Sequence, residues 1–316
     1  MRIVRLNDNV GSQMIQASRL SYSAQALQQF PFPNPHLHAK PASMKFAICQ
    51  ELFEDTPWEE QCRIIADVGY TGIEVAPFSI ADDLASVPTD TLEDMKSVAA
   101  DHGLEIIGLH WLLAKTEGLY MTSPDPAVRE RTAQYFGLLA RTCATLGGRV
   151  MVCGSPQQRN LLPGVSSEQA LKFATEVFRQ AVDEFASNDV LLCMEPLTKK
   201  ETDFINTCEQ AVELMNLVNH PNFILHQDVK AMVGAESDSV FDLIHRHRDV
   251  CGHFHVNDTN LLGPGMGDTD FRPILKALQD VNYRGWVSVE VFDYAPGAEK
   301  IARDSLRYMQ EITESL

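Results

Sequence analysis

Residues 167–196 read SEQALKFATEVFRQAVDEFASNDVLLCMEP. From Ser167 to Phe185 the apolar side chains recur at helical spacing, behind a serine suited to capping a helix start. The polar pair Asn188-Asp189 ends that pattern. Val190 to Met194 is then an unbroken apolar run, too short for a helix, which reads as a strand buried on both faces and ending in Glu195. The same alternation runs from Met44 onward. Further strands are expected at Lys45 to Cys49, Gly72 to Ala76, Glu105 to His110, Arg149 to Cys153, Phe223 to Asp228, Val250 to Val256 and Trp286 to Val291. Helical patterns occupy Trp58 to Val68, Ala127 to Leu146, Thr207 to Val218, Ser239 to His247, Phe271 to Gln279 and Ala298 to Ile312. Eight βα units between Met44 and Leu316 predict an α/β protein, a single closed (β/α)8 TIM barrel with an N-terminal extension. A dinucleotide-binding fold loses its best support, because Cys49-Gln-Glu-Leu-Phe follows the first strand where a Gly-rich phosphate loop would stand.

Residues 1–43 differ from this pattern. They are rich in Ser, Gln, Asn and Pro and lack periodicity, so the division expected is an extension over 1–43 and a barrel over 44–316. Arg2, Arg5, Arg19 and Lys40 against Asp8 give the extension a transit-like balance, but no continuous apolar core; a misassigned start or a packed arm fits equally well. Over all 316 residues, 26 Lys and Arg oppose 43 Asp and Glu, a formal charge of −17 that repels phosphate backbones and anionic membranes. Nucleic acid is thereby excluded as a partner, and no apolar run approaches the ~20 residues of a membrane span. The seven cysteines form no CxxC pair, which fits reduced thiols and a cytoplasmic location.

In a TIM barrel the chemistry belongs to the carboxyl ends of the strands. Strands five to eight end in Glu195, Asp228, His255 and Glu290. A carboxylate closing an apolar strand is costly unless it is paired, protonated or bound to a cation. Any one of these could cap a helix or meet a lysine. Four at one level, three carboxylates and an imidazole, suit a six-coordinate Mn²⁺, Mg²⁺ or Co²⁺. Zinc is a weaker option, since no cysteine cluster accompanies the histidine.

The sequences Met194-Glu-Pro-Leu, Asp228-Val-Lys, His253-Phe-His-Val-Asn-Asp, Gly263-Pro-Gly-Met-Gly-Asp-Thr-Asp-Phe and Ser288-Val-Glu-Val-Phe resemble the xylose-isomerase-like sugar phosphate isomerase/epimerase superfamily. The resemblance spans Met44 to about Tyr308, and the ordered Glu, Asp, His, Glu quartet is its most specific part. It implies one divalent cation held by Glu195, Asp228, His255 and Glu290. It also implies proton transfer between adjacent carbons of a sugar or sugar derivative through an enediolate, with Glu195 and Glu290 as the acid/base pair across the barrel mouth. His253 is expected beneath His255 on the same strand face. Substrate contacts are expected from His110, Glu74, Arg159 and Lys230: His110 through a hydroxyl, Glu74 directly or by orienting other groups, Arg159 through an anionic group, and Lys230 through the enediolate. For each, a purely structural role is the alternative. The loop Asn257 to Asp270 is expected to cover the site, with Trp111, Phe292 and Tyr294 as an apolar wall. Ketose 3-epimerases of the superfamily carry a histidine and an arginine where this chain has Ala231 and Leu261, which argues against a plain tagatose or psicose 3-epimerase. A lyase or dehydratase using the same cation, acting on a keto-inositol or keto-glycoside, is the nearest alternative. A non-catalytic sugar-binding barrel is the next. A DNA-repair endonuclease would need a basic face that this chain lacks. A small carbohydrate substrate and a possible homo-oligomer complete the expectations.

Overall fold

In the computed structural model, which describes residues 44–316, the apolar runs become β1 (Lys45–Cys49), β2 (Gly72–Val75), β3 (Glu105–Leu109), β4 (Val150–Cys153), β5 (Leu191–Met194), β6 (Phe223–Asp228), β7 (Cys251–Val256) and β8 (Trp286–Val289). They pair in parallel and in chain order, and the sheet closes where Phe46 and Ile48 of β1 meet Val287 and Val289 of β8. The fold is therefore the expected (β/α)8 TIM barrel. The extension over 1–43 lies outside the described residues.

The outer layer comprises α1 (Trp58–Val68), α2 (Pro77–Ile80), α3 (Thr89–Asp101), α4 (Pro126–Leu146), α5 (Ser167–Ser187), α6 (Cys208–Val218), α7 (Val229–Ala235), α8 (Val240–His247), α9 (Phe271–Asp280) and α10 (Ala298–Glu314). Helix starts are set locally. Ser166 Oγ accepts from Gln169 N while Gln169 Oε1 accepts from Ser166 N, a reciprocal cap worth about 1 kcal/mol at the head of α5. The layers join through apolar side chains: Phe178 of α5 packs 5.3 Å from Phe136 of α4 and 4.5 Å from Phe223 of β6, ring centre to ring centre. Burying each ring contributes about 2–3 kcal/mol. α3 is not among the segments that periodicity singles out. Only Leu92 and Ala99 of it are buried, so its apolar stripe is thin.

Two details of the sheet position the site. β5 and β8 end at Met194 and Val289, short of the expected strand ends at Glu195 and Val291, so Glu195 and Glu290 stand where the chain leaves the barrel. In β6 and β7 the register places His226 beside His253 and Asp228 beside His255. Side chains alternate along a strand, so these four residues form two rungs on one face, histidines below and an aspartate with a histidine above. Among the described residues no helix is long and apolar enough to cross a membrane, and all seven cysteines are free.

Candidate active site and metal centre

The four strand-end residues converge. Ligand-capable atoms of Glu195, Asp228 and His255 lie within 4.8 Å of one another, together with one from His226. Glu290 joins them through its Oε2, 3.2 Å from His255 Nδ1. All five side chains are buried. Burial, then the neighbouring Glu290 and Asp228, hold the Glu195 carboxyl well above its ordinary range. Burial also raises Asp228, Lys230 opposing and Glu290 assisting. Burial would raise Glu290 as well, but the charge and hydrogen bond of His255 outweigh it and leave that carboxyl lowered.

Around this cluster the barrel interior supplies a second set of contacts. His255 Nε2 lies 3.1 Å from Glu74 Oε2, and His253 Nε2 lies 2.9 Å from the same oxygen. Glu74 is completely buried on β2, and the two histidines overcome burial to hold its carboxyl well below the usual range. Its carboxylate accepts from Nε2–H of His255, so Nδ1, on the Glu290 side, is the nitrogen left to bind a cation on losing its proton, the arrangement that orients metal-binding histidines. Glu74 thus orients histidines and does not reach the mouth. Glu74→Gln keeps the shape but weakens this acceptor, and is expected to raise the Kd for Mn²⁺ about 10- to 100-fold, measured by calorimetric titration. Cys49 Sγ sits 3.9 Å from His255 Nε2, and burial pushes its thiol up to about 11, so it stays protonated.

The remaining candidates divide. Lys230 Nζ is 2.6 Å from Glu201 Oε1 and 3.9 Å above the Phe292 ring, beside Asp228 in sequence. Burial opposes its charge, but Asp228 and Glu201 raise its pKa above that of an ordinary lysine. Its salt-bridge partner is therefore Glu201 and not one of the quartet. Asn257 bridges the same region, donating from Nδ2 to Asp228 Oδ2 at 2.6 Å and accepting Lys230 N at 2.9 Å. His110 is buried with Nε2 2.7 Å from Glu51 Oε2, and its ring lies 6.4 Å from that of His255. Arg159 does not face the mouth. It is fully buried, with Nη1 donating to the carbonyl of Glu195 at 2.8 Å and Nη2 to that of Ile205 at 3.3 Å, so it ties the β4 and β5 loops together from below. The loop after β7 is closed down on Asp258, whose carboxylate accepts from Thr259 N and from Thr269 N and Oγ1.

The donor set fits a divalent cation. Two buried carboxylates, Glu195 and Asp228, face His255 and His226, with Glu290 at His255 Nδ1, while the nearby cation, Lys230, is already paired with Glu201. Both ring nitrogens of buried His226 lack a partner, and an orphaned polar group inside a barrel calls for a ligand or a water. Gly154, just after β4, supports the same site: a Cβ there would overlap Glu195 Oε2. Gly154→Ala is expected to push the carboxylate aside and lower kcat/KM about 10²-fold with the circular dichroism spectrum unchanged, since small misplacements of a positioned group cost that much.

Sequence reasoning passed over Glu51, Cys49, His226, Asn257, Glu201 and Gly154. His226 and Asn257 carried a local signal, each two residues from a quartet member, and Cys49 closes β1; Glu51, Glu201 and Gly154 meet the site through contacts distant in the chain.

A family profile described as a xylose isomerase-like TIM barrel matches residues 62–312. A D-psicose 3-epimerase of Enterocloster bolteae is 34% identical, the match covering 79% of this chain and 83% of that one. A 3-dehydro-D-guloside 4-epimerase of Escherichia coli is 23% identical, over 84% of this chain and 99% of that one. Among solved structures, a D-psicose 3-epimerase crystallised in the presence of D-fructose superimposes with a TM-score of 0.75 at 23% identity, covering 85% of this chain and 99% of that one.

Proposed function

The chain belongs to the xylose isomerase-like TIM barrel family, and from that membership we propose that it is a divalent-cation-dependent sugar isomerase/epimerase. In this reading Glu195, Asp228, His255 and Glu290 hold the cation, and Glu195 and Glu290 exchange a proton with the carbon beside a carbonyl. One observation carries it: buried carboxylates from β5, β6 and β8 converge with His255 at the catalytic end of the barrel. The names of the two relatives support the reaction class, since a psicose 3-epimerase and a 3-dehydro-guloside 4-epimerase both invert a carbon next to a carbonyl.

When bound, the cation would draw charge from the carbonyl and its neighbouring hydroxyl and so acidify the C–H between them. The protein's groups do the rest. Inversion needs one group to take a proton from one face of the carbon and another to return a proton to the opposite face, and Glu195 and Glu290 follow strands three apart around the barrel. Asn257 holds Asp228 in place. The Lys230 ammonium, propped by Glu201 against Phe292, is positioned to donate to a substrate oxygen. The loop after β7 is pinned on Asp258 and packs against α10 through Gly263 and Gly265.

The test is solvent-deuterium exchange followed by NMR with Mn²⁺-loaded protein on ketohexoses, keto-inositols and keto-glycosides. Deuterium at the carbon beside the carbonyl, with an epimeric or isomeric product, is the expected result. An unsaturated product would instead mark a lyase, and absence of both would remove the reading.

A further inference from the structure

Three histidines stack on one face of β6 and β7, and two of them share a carboxylate. His253 and His255 both reach Glu74 Oε2, at 2.9 and 3.1 Å. His226 does not. It is wholly closed off from solvent, and neither of its ring nitrogens finds a hydrogen-bond partner among the described residues. A histidine kept only for packing would be anchored as His253 is, or replaced by an apolar side chain that loses nothing on burial. The His226 ring centre lies 4.3 Å from that of His255, edge to face. One of its nitrogens falls within 4.8 Å of ligand-capable atoms of Glu195, Asp228 and His255, which keep to that distance among themselves. Ligand atoms on opposite sides of one ion stand about 4–4.6 Å apart, twice a bond of about 2.0–2.3 Å. His226 is thus about as near to the other three as ligands of a single ion are to one another.

Resting on the cation-dependent reading, we propose that His226 is a further protein ligand of the same cation in the substrate-free protein. It would join Glu195, Asp228, His255 and Glu290 from the inner side of the barrel. The strand pattern supports this placement. His226 precedes Asp228 by two residues and shares its face one rung deeper, while Glu195 and Glu290, each 4% exposed, stand toward the mouth. A cation entering between those carboxylates meets an imidazole beneath it, and the burial of that imidazole is no obstacle, because the ion comes to it. The consequence is selectivity. Carboxylates suit Mg²⁺ and Mn²⁺, whereas imidazoles favour later metals, with affinity rising from Mn²⁺ through Co²⁺ to Ni²⁺. A second imidazole biases the site toward Co²⁺ and away from Mg²⁺.

The experiment counts directly bonded nitrogens by pulsed electron paramagnetic resonance on the Mn²⁺-loaded, substrate-free protein. Two imidazole nitrogens are expected in wild type and one in His226→Gln. Titration calorimetry then reads selectivity. His226→Gln offers an amide oxygen in place of the ring nitrogen, and is expected to weaken Co²⁺ binding about tenfold or more while changing Mg²⁺ binding less than about threefold. A single nitrogen in wild type overturns the assignment even if the variant does not fold, and would leave His226 facing the cation through a water or not at all. Equal losses for Co²⁺ and Mg²⁺ in a folded variant overturn it too, since a merely structural histidine affects every ion alike. The cation reading fails by a different result: protein that binds no Mn²⁺ in calorimetry has no such centre, and the assignment of His226 falls with it.

Discussion

Glu290→Gln is expected to lower kcat for exchange at the substrate carbon by about 10³-fold or more, at saturating Mn²⁺ and with the far-ultraviolet circular dichroism unchanged. A positioned general base contributes about 10²–10⁴. The glutamine amide also has no anionic oxygen to give a cation. Glu290 lies one residue beyond β8, and its Oε2 meets His255 Nδ1 at 3.2 Å. The substitution keeps the side-chain volume in a fully packed region, so the fold should survive. Its value lies in separating two roles. If Glu290 only holds the cation, raising Mn²⁺ restores kcat, because the defect is one of occupancy. If it also moves the proton, kcat stays low when the site is full. A variant restored to within tenfold of wild type by excess Mn²⁺ would strip Glu290 of its acid/base role.

The barrel was legible because its strands are short, unbroken apolar runs between helical patterns. Phe223–Asp228 matches its expected bounds, and the quartet follows from asking which residue closes each strand. What could not be read are the contacts made by barrel closure. Glu74 meets His253 across 179 residues, and Cys49 meets Ser288 across 239, separations that no local period records. Lys230 shows the same limit: its place two residues after Asp228 was visible, but its partner Glu201 lies on the loop after β5. Arg159 shows the opposite failure. An arginine in a polar loop after a strand reads as an anion-binding group at the mouth, yet its guanidinium donates to main-chain carbonyls of the loop after β5, an inward role that composition does not distinguish. Gly154 was invisible because a glycine after a strand has many uses, and only the position of the Glu195 carboxylate explains this one.

Removing the cation with a chelator is expected to abolish exchange, a loss of at least about 10³-fold, and to lower the melting temperature. Occupancy at a hundred times Kd stabilises the native state by about 2.7 kcal/mol, which for a barrel of this size is about 5–10 °C. The sign with pH follows from the carboxyls. Burial and mutual repulsion raise Glu195 and Asp228 above their ordinary values of 4.5 and 3.8. A carboxyl with a raised native pKa contributes stability that is fully present below its unfolded pKa and is lost as pH climbs through the native value. Glu290, lowered by His255, works the other way, its contribution lost as pH falls. Glu74, held well below the usual range by His253 and His255, sides with Glu290, so the two pairs oppose each other in the cation-free protein, and the pH sign is read instead from the cation as pH rises from the acid range toward neutrality. Cation binding requires Glu195 and Asp228 to be deprotonated and neutralises their repulsion. The increase in melting temperature on adding Mn²⁺ should therefore widen over that interval, as scanning calorimetry at several pH values would show. An increase of constant size would mean that the cation binds away from Glu195 and Asp228; no increase at any pH would mean that the cluster holds no cation, and the strand-end carboxylates would then need another source of compensation.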